Sequence, residues 1–245
     1  MKKLLLLCSL FLLTQPLFAT SIVVLIASDY IIIGTDSKRQ IIDAEKNYTI
    51  TETVCKIRLV NDYCFASAGL IASEATRYSS DQIIRQHLAK TTSIKKAVRA
   101  IEKELAKALQ AELQFQQKHQ PKQFIKTMES GNHLLEVAVV KMVNNQPQVY
   151  VIGFEVADKK TLRIKTYSKN CGASCVTDGP QLLFLGEYSG MEKYMEAPRV
   201  VGDPAHFINQ LIVSQATITP RSVGAPVNMV KLNATGVEWL NQQCQ

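Results

Sequence analysis

Thr20-Ser21-Ile22-Val23-Val24-Leu25-Ile26, then Ala27-Ser28-Asp29, then Tyr30-Ile31-Ile32-Ile33-Gly34: this stretch decides how the chain folds. Its two runs, Ile22 to Ile26 and Tyr30 to Gly34, are short, rich in β-branched residues and separated by a tight turn, so they read as paired strands. Neither run alternates apolar with polar. Strands that are apolar on both sides belong to a sheet covered on both faces, which requires further layers around them.

Working downstream, the more polar stretch from Lys38 to Glu52 reads as a loop. Val54 to Val60 and Tyr63 to Ala68 then form a second hairpin around Asn61-Asp62, and Gly69 ends it. From Ser73 to Ala89 the period changes to that of a helix, with Ala75, Tyr78, Ile83, Ile84 and Leu88 on one face. Ser93 to Lys118 repeats the pattern with Ile94, Val98, Ile101, Leu105, Leu109 and Leu113. Beyond Pro121, the segments Leu134 to Met142, Gln148 to Phe154, Thr161 to Tyr167 and Gln181 to Leu185 read as antiparallel strands. Asp203 caps and Pro204 opens a helix reaching Gln215, and Val227 to Leu232 with Val237 to Leu240 close the chain as a hairpin at Thr235-Gly236. The order strands, helix pair, strands, helix, strands predicts an α+β fold of antiparallel sheets with helices on one side, or outside both faces of a sheet sandwich.

Upstream of Thr20 stands a secretory leader. Lys2 and Lys3 make its basic start, Leu4 to Leu13 its apolar run, Pro16 a helix stop, and Ala19 the small residue at the cut. The run is shorter than the roughly 20 residues that span a bilayer, and Cys8 lacks the small neighbours of a lipidation site. Residues 1–19 are therefore expected to leave. Residues 20–245 form a single domain, in the periplasm or secreted, with no integral membrane segment, because nothing in the composition divides them.

The net charge of +7 falls to +5 without Lys2 and Lys3, and it is scattered rather than gathered in basic blocks interleaved with aromatics. That excludes nucleic acid as a natural partner. Export favours a disulfide between Cys171 and Cys175, four apart; Cys55 and Cys64 fall on adjacent strands and either pair or are buried, and Cys244 completes the mature set. His87, His119, His133 and His206 form no ligand spacing, so no metal or other cofactor is called for.

A cut after Ala19 would place a hydroxyl and a free α-amine together on Thr20. That is the pairing an N-terminal nucleophile needs, because the amine can take the hydroxyl proton. Lys56 would supply positive charge beside that amine, Asp36 would hold Lys56, and a backbone N–H near Gly69 would meet the oxyanion. Read singly, each residue has a plainer role: a strand threonine, a turn aspartate, a solvated strand lysine, a turn glycine.

The assembled motifs carry a resemblance. Thr20-Ser21-Ile22-Val23, Gly34-Thr35-Asp36-Ser37-Lys38, Cys55-Lys56-Ile57, Ala66-Ser67-Ala68-Gly69 and Ser222-Val223-Gly224-Ala225-Pro226-Val227-Asn228 are similar to the proteasome β-subunit and its bacterial relatives, within the N-terminal nucleophile hydrolases. The resemblance spans almost all of residues 20–245 and is strongest at their start. It implies a four-layer αββα sandwich of two stacked antiparallel sheets, with Thr20 as nucleophile, Asp36 and Lys56 as its partners, and Gly69 at the oxyanion hole. The segment Gly186-Glu187-Tyr188-Ser189 puts Glu187 where the family has a serine, with Ser189 two residues later, and Thr219-Pro220-Arg221-Ser222 keeps Ser222 without the family's aspartate. Because self-cleavage in this fold usually follows glycine, Ala19 points to an external peptidase.

Three functions follow as expectations: a threonine peptidase or amidase that forms a homo-oligomer, an acylase acting on a small amide by the same mechanism, or a non-catalytic scaffold or binding protein of the same fold. The substrate class is a peptide or small amide. An exported chain has no ATP, so an ATP-driven unfoldase is not implied.

Overall fold

The computed structural model describes residues 20–129, 133–196 and 202–241. The expected leader at 1–19, its cut after Ala19, and Cys244 lie outside the described residues.

The opening strands form as read: β1 is Ser21–Ile26 and β2 is Tyr30–Asp36, paired antiparallel with Val24 opposite Ile33. Next come β3 (Lys38–Asp43) and β4 (Tyr48–Thr53), then β5 (Ile57–Val60) and β6 (Tyr63–Gly69), then the two-residue strands β7 (Ala72–Ser73) and β8 (Tyr78–Ser79). Three helices follow: α1 (Ser80–Ala89), α2 (Ile94–His119) and α3 (Pro121–Glu129). The remainder is β9 (His133–Val143), β10 (Gln146–Asp158), β11 (Arg163–Cys171), β12 (Gln181–Gly186), α4 (Ser189–Met195), α5 (Pro204–Ile218), β13 (Val227–Asn233) and β14 (Gly236–Trp239).

The fold is α+β. One antiparallel sheet runs β12-β1-β2-β13-β14 and a second runs β11-β10-β9-β6-β5, while β3-β4 and β7-β8 are two-stranded ribbons. Side chains sort into three apolar clusters. Ile22, Val24, Ile33 and Val230 of the first sheet meet Ala66, Ala68, Ala138 and Val140 of the second, with no helix residue among the buried members. The other face of β1 and β2, through Val23 and Ile32, packs on Ile208, Leu211 and Ile212 of α5. The second sheet turns Phe65, Val137 and Phe154 toward the stripe Val98, Ile101, Leu105 and Leu109 of α2. Each fully buried aliphatic side chain of this kind contributes about 2 kcal/mol. The solidly apolar character of β1 and β2 thus has its cause: both of their faces are buried.

Three expectations change. The Lys38 to Glu52 stretch is a hairpin, β3 paired to β4 with Ile41 opposite Ile50, and not a loop. Its polar residues lie on both sides and hide the alternation, leaving the β-branched Ile and Thr as the strand signal. The first helix starts at Ser80 rather than Ser73: Ser79 accepts the Gln82 amide at 3.3 Å as N-cap, and Arg77 has φ +58°, which a helix cannot hold. Two helices had no expectation at all. α3 opens on Pro121 and packs Phe124 and Met128 against the core, and α4 is only two turns long.

Cys171 and Cys175 are bonded to each other, closing a short 3-10 turn at Ala173–Val176. Cys55 also takes part in a disulfide, but not with Cys64, which is a free, buried thiol. No described helix is long and apolar enough to cross a membrane.

Candidate active site

Thr20 sits immediately before β1, which lies between β12 and β2, and it is 5% exposed. Its backbone is fixed from the β12 side: the Glu187 amide donates to the Thr20 carbonyl at 2.9 Å, and Ser21 pairs with Gly186. Gly186 has φ +74°, and a methyl group there would overlap the Thr20 carbonyl, so only glycine permits this close approach.

Asp36, at the end of β2, is fully buried and organises the region. Its Oδ1 accepts the Ser21 amide at 2.9 Å and the Lys56 ammonium at 2.8 Å. Its Oδ2 accepts the amides of Lys38 at 3.0 Å and Gly224 at 3.3 Å. Lys56 stands just before β5, so this ion pair joins the two five-stranded sheets. Burial pushes the Asp36 carboxyl up and the Lys56 ammonium down, and each shift is opposed by the partner's charge. Arg39 lowers the Lys56 ammonium further. The bonds to Ser21 and Gly224 were not anticipated from sequence. Backbone donors leave no residue-type signal, which is why they were missed.

Gly69 ends β6 with φ +113°, where an added methyl would overlap the Leu134 carbonyl. Together with Thr20, Lys56 and Ser67 it lines a cleft of about 590 Å³, closed on one side by Arg39 to Ile41 of β3. That volume suits a side chain or a small amide. Asp36 stands behind Lys56, outside the lining. Ser189 is exposed at the first residue of α4 and does not line the cleft. Ser222 is buried but also off the cleft, its hydroxyl donating to the Thr219 carbonyl at 3.3 Å. The loop that carries Ser222 still serves the site, because Gly224 bonds to Asp36 and Ser37 donates its amide to Gly224 at 3.2 Å.

Glu187 departs furthest from the sequence pattern. It is 7% exposed, its Oε1 has no hydrogen-bond partner among the described residues, and its carbonyl accepts the Ser21 hydroxyl at 2.6 Å. Burial pushes its carboxyl up to about 7. Behind β12, Glu136 accepts the Gly186 amide at 2.7 Å and the Tyr167 hydroxyl at 2.8 Å, bracing the glycine that holds Thr20. Among the described residues, no group of three or more His, Cys, Asp or Glu side chains comes together as a metal site.

No protein-family model matches the chain, and no curated protein matches it. Among solved structures it is similar to an Anbu (Gly-1) mutant from Hyphomicrobium sp. strain MC1, at a TM-score of 0.54 and 13% identity, over 91% of this chain and 85% of that one. Anbu is a bacterial proteasome-like protein, and the likeness shows that this chain has a proteasome-like fold.

Proposed function

We propose that residues 20–245 form one domain of the N-terminal nucleophile hydrolase type, a four-layer αββα sandwich that cleaves peptide or small amide bonds with Thr20. The sorting of apolar side chains into one sheet-to-sheet cluster and two sheet-to-helix clusters supports the layering. The observation that carries the activity is the buried Asp36–Lys56 pair at 2.8 Å, tied through the Ser21 amide to the backbone beside Thr20, with Lys56 on the wall of the cleft.

The chemistry follows from the groups present. Thr20 Oγ attacks the amide carbonyl while its proton passes to the α-amine freed by removal of Ala19. Lys56 keeps that amine largely unprotonated at neutral pH and so able to accept. Backbone N–H groups near Gly69 stabilise the oxyanion. The C–N bond then breaks, the leaving amine takes the proton, and an ester remains on Thr20. Water, losing a proton to the Thr20 α-amine, then attacks the ester; the ester C–O bond breaks, that proton passes to Thr20 Oγ, and the acid leaves. An exported location is supported by the disulfides at Cys171–Cys175 and Cys55.

The second reading is a non-catalytic protein of the same fold, favoured by Ser189 and Ser222 lying off the cleft. A chain starting at Thr20 separates the two when assayed on a panel of peptide anilides. Thr20→Ala should reduce turnover at least about a thousandfold with an unchanged melting temperature. Equal rates in the two chains would end the threonine reading.

A further inference from the structure

The cleft that begins at Thr20 is also lined by α2, α3 and the β7–β8 ribbon, and there its wall becomes polar and buried. Glu112 and Gln116 of α2 are 1% and 2% exposed. Glu112 Oε1 accepts Gln116 Nε2 at 2.8 Å, Glu112 Oε2 accepts the Thr76 hydroxyl, and Gln116 Oε1 accepts the Thr127 hydroxyl at 2.9 Å. Every one of these donors is neutral. A carboxylate has about four acceptor positions, and two donors reach Glu112, so acceptor capacity remains.

The cations of the lining cannot neutralise it, because each is already engaged. Arg39 pairs with Glu52 at 2.5 Å, Lys56 with Asp36 at 2.8 Å and Arg58 with Asp81 at 3.3 Å. Among the acids of the lining, Asp43 has Lys46 within 3.5 Å and Glu45 accepts the Lys122 amide at 2.8 Å. Glu45, Glu74 and Glu112 have no ion-pair partner among the described residues, and of the three only Glu112 is buried. The cleft is thus acid-rich inside a chain of net charge +7. A cationic ligand group would add a charged donor to a buried carboxylate that has only neutral ones, and charge-assisted hydrogen bonds are about twice as strong as neutral ones.

We propose that the Glu112 end of the cleft is a specificity pocket for a cationic group, a protonated amine or a guanidinium, carried by the amide or peptide presented to Thr20. Cleavage of that substrate rests on the Thr20 reading; its binding does not. The guanidinium is the better fit, because its flat fork can bond both oxygens of a carboxylate at once.

Binding is measured without turnover by titration calorimetry, using residues 20–245 with Thr20→Ala. The probes are N-acetyl-arginine amide and N-acetyl-citrulline amide, which match in shape and differ in charge. The arginine compound should bind at least about tenfold more tightly. Glu112→Gln should abolish that preference, and Glu238→Gln, at an exposed position of β14 outside the lining, should leave it within about twofold. Equal affinity for the two probes, binding of neither, or a preference that survives Glu112→Gln overturns the pocket. If Glu112→Gln fails to fold, the test is amide NMR on the parent chain. The arginine probe, and not the citrulline probe, should move the Thr76, Gln116 and Thr127 signals; their remaining still overturns the proposal. A chain that binds the cation but hydrolyses nothing sinks the hydrolase reading alone, and one that hydrolyses neutral and cationic amides alike sinks the pocket alone.

Discussion

At the scale of single residues, the site depends on two charges kept out of water. Asp36 and Lys56 compensate each other, and removing one partner of such a pair leaves the other stranded. Lys56→Ala should lower turnover by about a hundredfold or more while Asp36 keeps its three backbone donors; a loss of only twofold would make Lys56 a structural lysine. Asp36→Asn should instead cost about 3 kcal/mol of folding stability in denaturant titrations, since it removes the carboxylate charge that faces the buried Lys56 ammonium. Glu187 gives a separate signature in pH. Its carboxyl is raised from 4.5 to about 7, so between those values the folded state holds a proton that the unfolded chain releases. Stability is therefore fullest below about pH 4.5, declines as pH rises, and levels off above about 7. Relative to Glu187→Gln, the parent chain should lose about 5 °C in melting temperature between pH 5 and pH 8; parallel curves would refute an unpartnered acid. Thr20, Asp36, Lys56 and Gly69 were legible in sequence through ordered motifs. The buried acid at Glu187 was visible only as a missing serine, and that its Oε1 has no partner among the described residues needed the surrounding walls.

At the scale of elements, strands with both faces buried announced themselves, as did α2, whose apolar stripe keeps helical period for most of its length. The β3–β4 ribbon did not, because its strands carry polar residues on both sides and so have no apolar period to read. That ribbon positions the cleft wall: Gln40 donates to the Arg221 carbonyl at 2.7 Å at one side, and Gln123 of α3 accepts the Ala44 amide at 3.1 Å at the other. The end of β12 holds Thr20 more directly. Gly186→Ala should displace the Thr20 carbonyl and break the Glu136 bond, lowering both activity and melting temperature. A fully active variant would show that Thr20 does not depend on this close approach.

At the scale of the whole molecule, the element order pointed to an α+β fold with helices segregated from antiparallel sheets, and the proteasome-like likeness agrees with it at that level. What periodicity could not supply was which sheet meets which helix. That is set by contacts between β1 and β12, or between β6 and β9, that lie far apart in sequence. The cleft and its acidic end belong to the same class, since Thr76 meets Glu112, and Thr127 meets Gln116, only after the β7–β8 ribbon and α3 have packed on α2. Everything proposed for Thr20 requires that its α-amine be free. The most direct test is the N-terminal sequence and intact mass of the chain recovered from its native compartment. A chain beginning at Thr20 is the expected result; one beginning at Met1, at Ser21 or further downstream would contradict the N-terminal nucleophile.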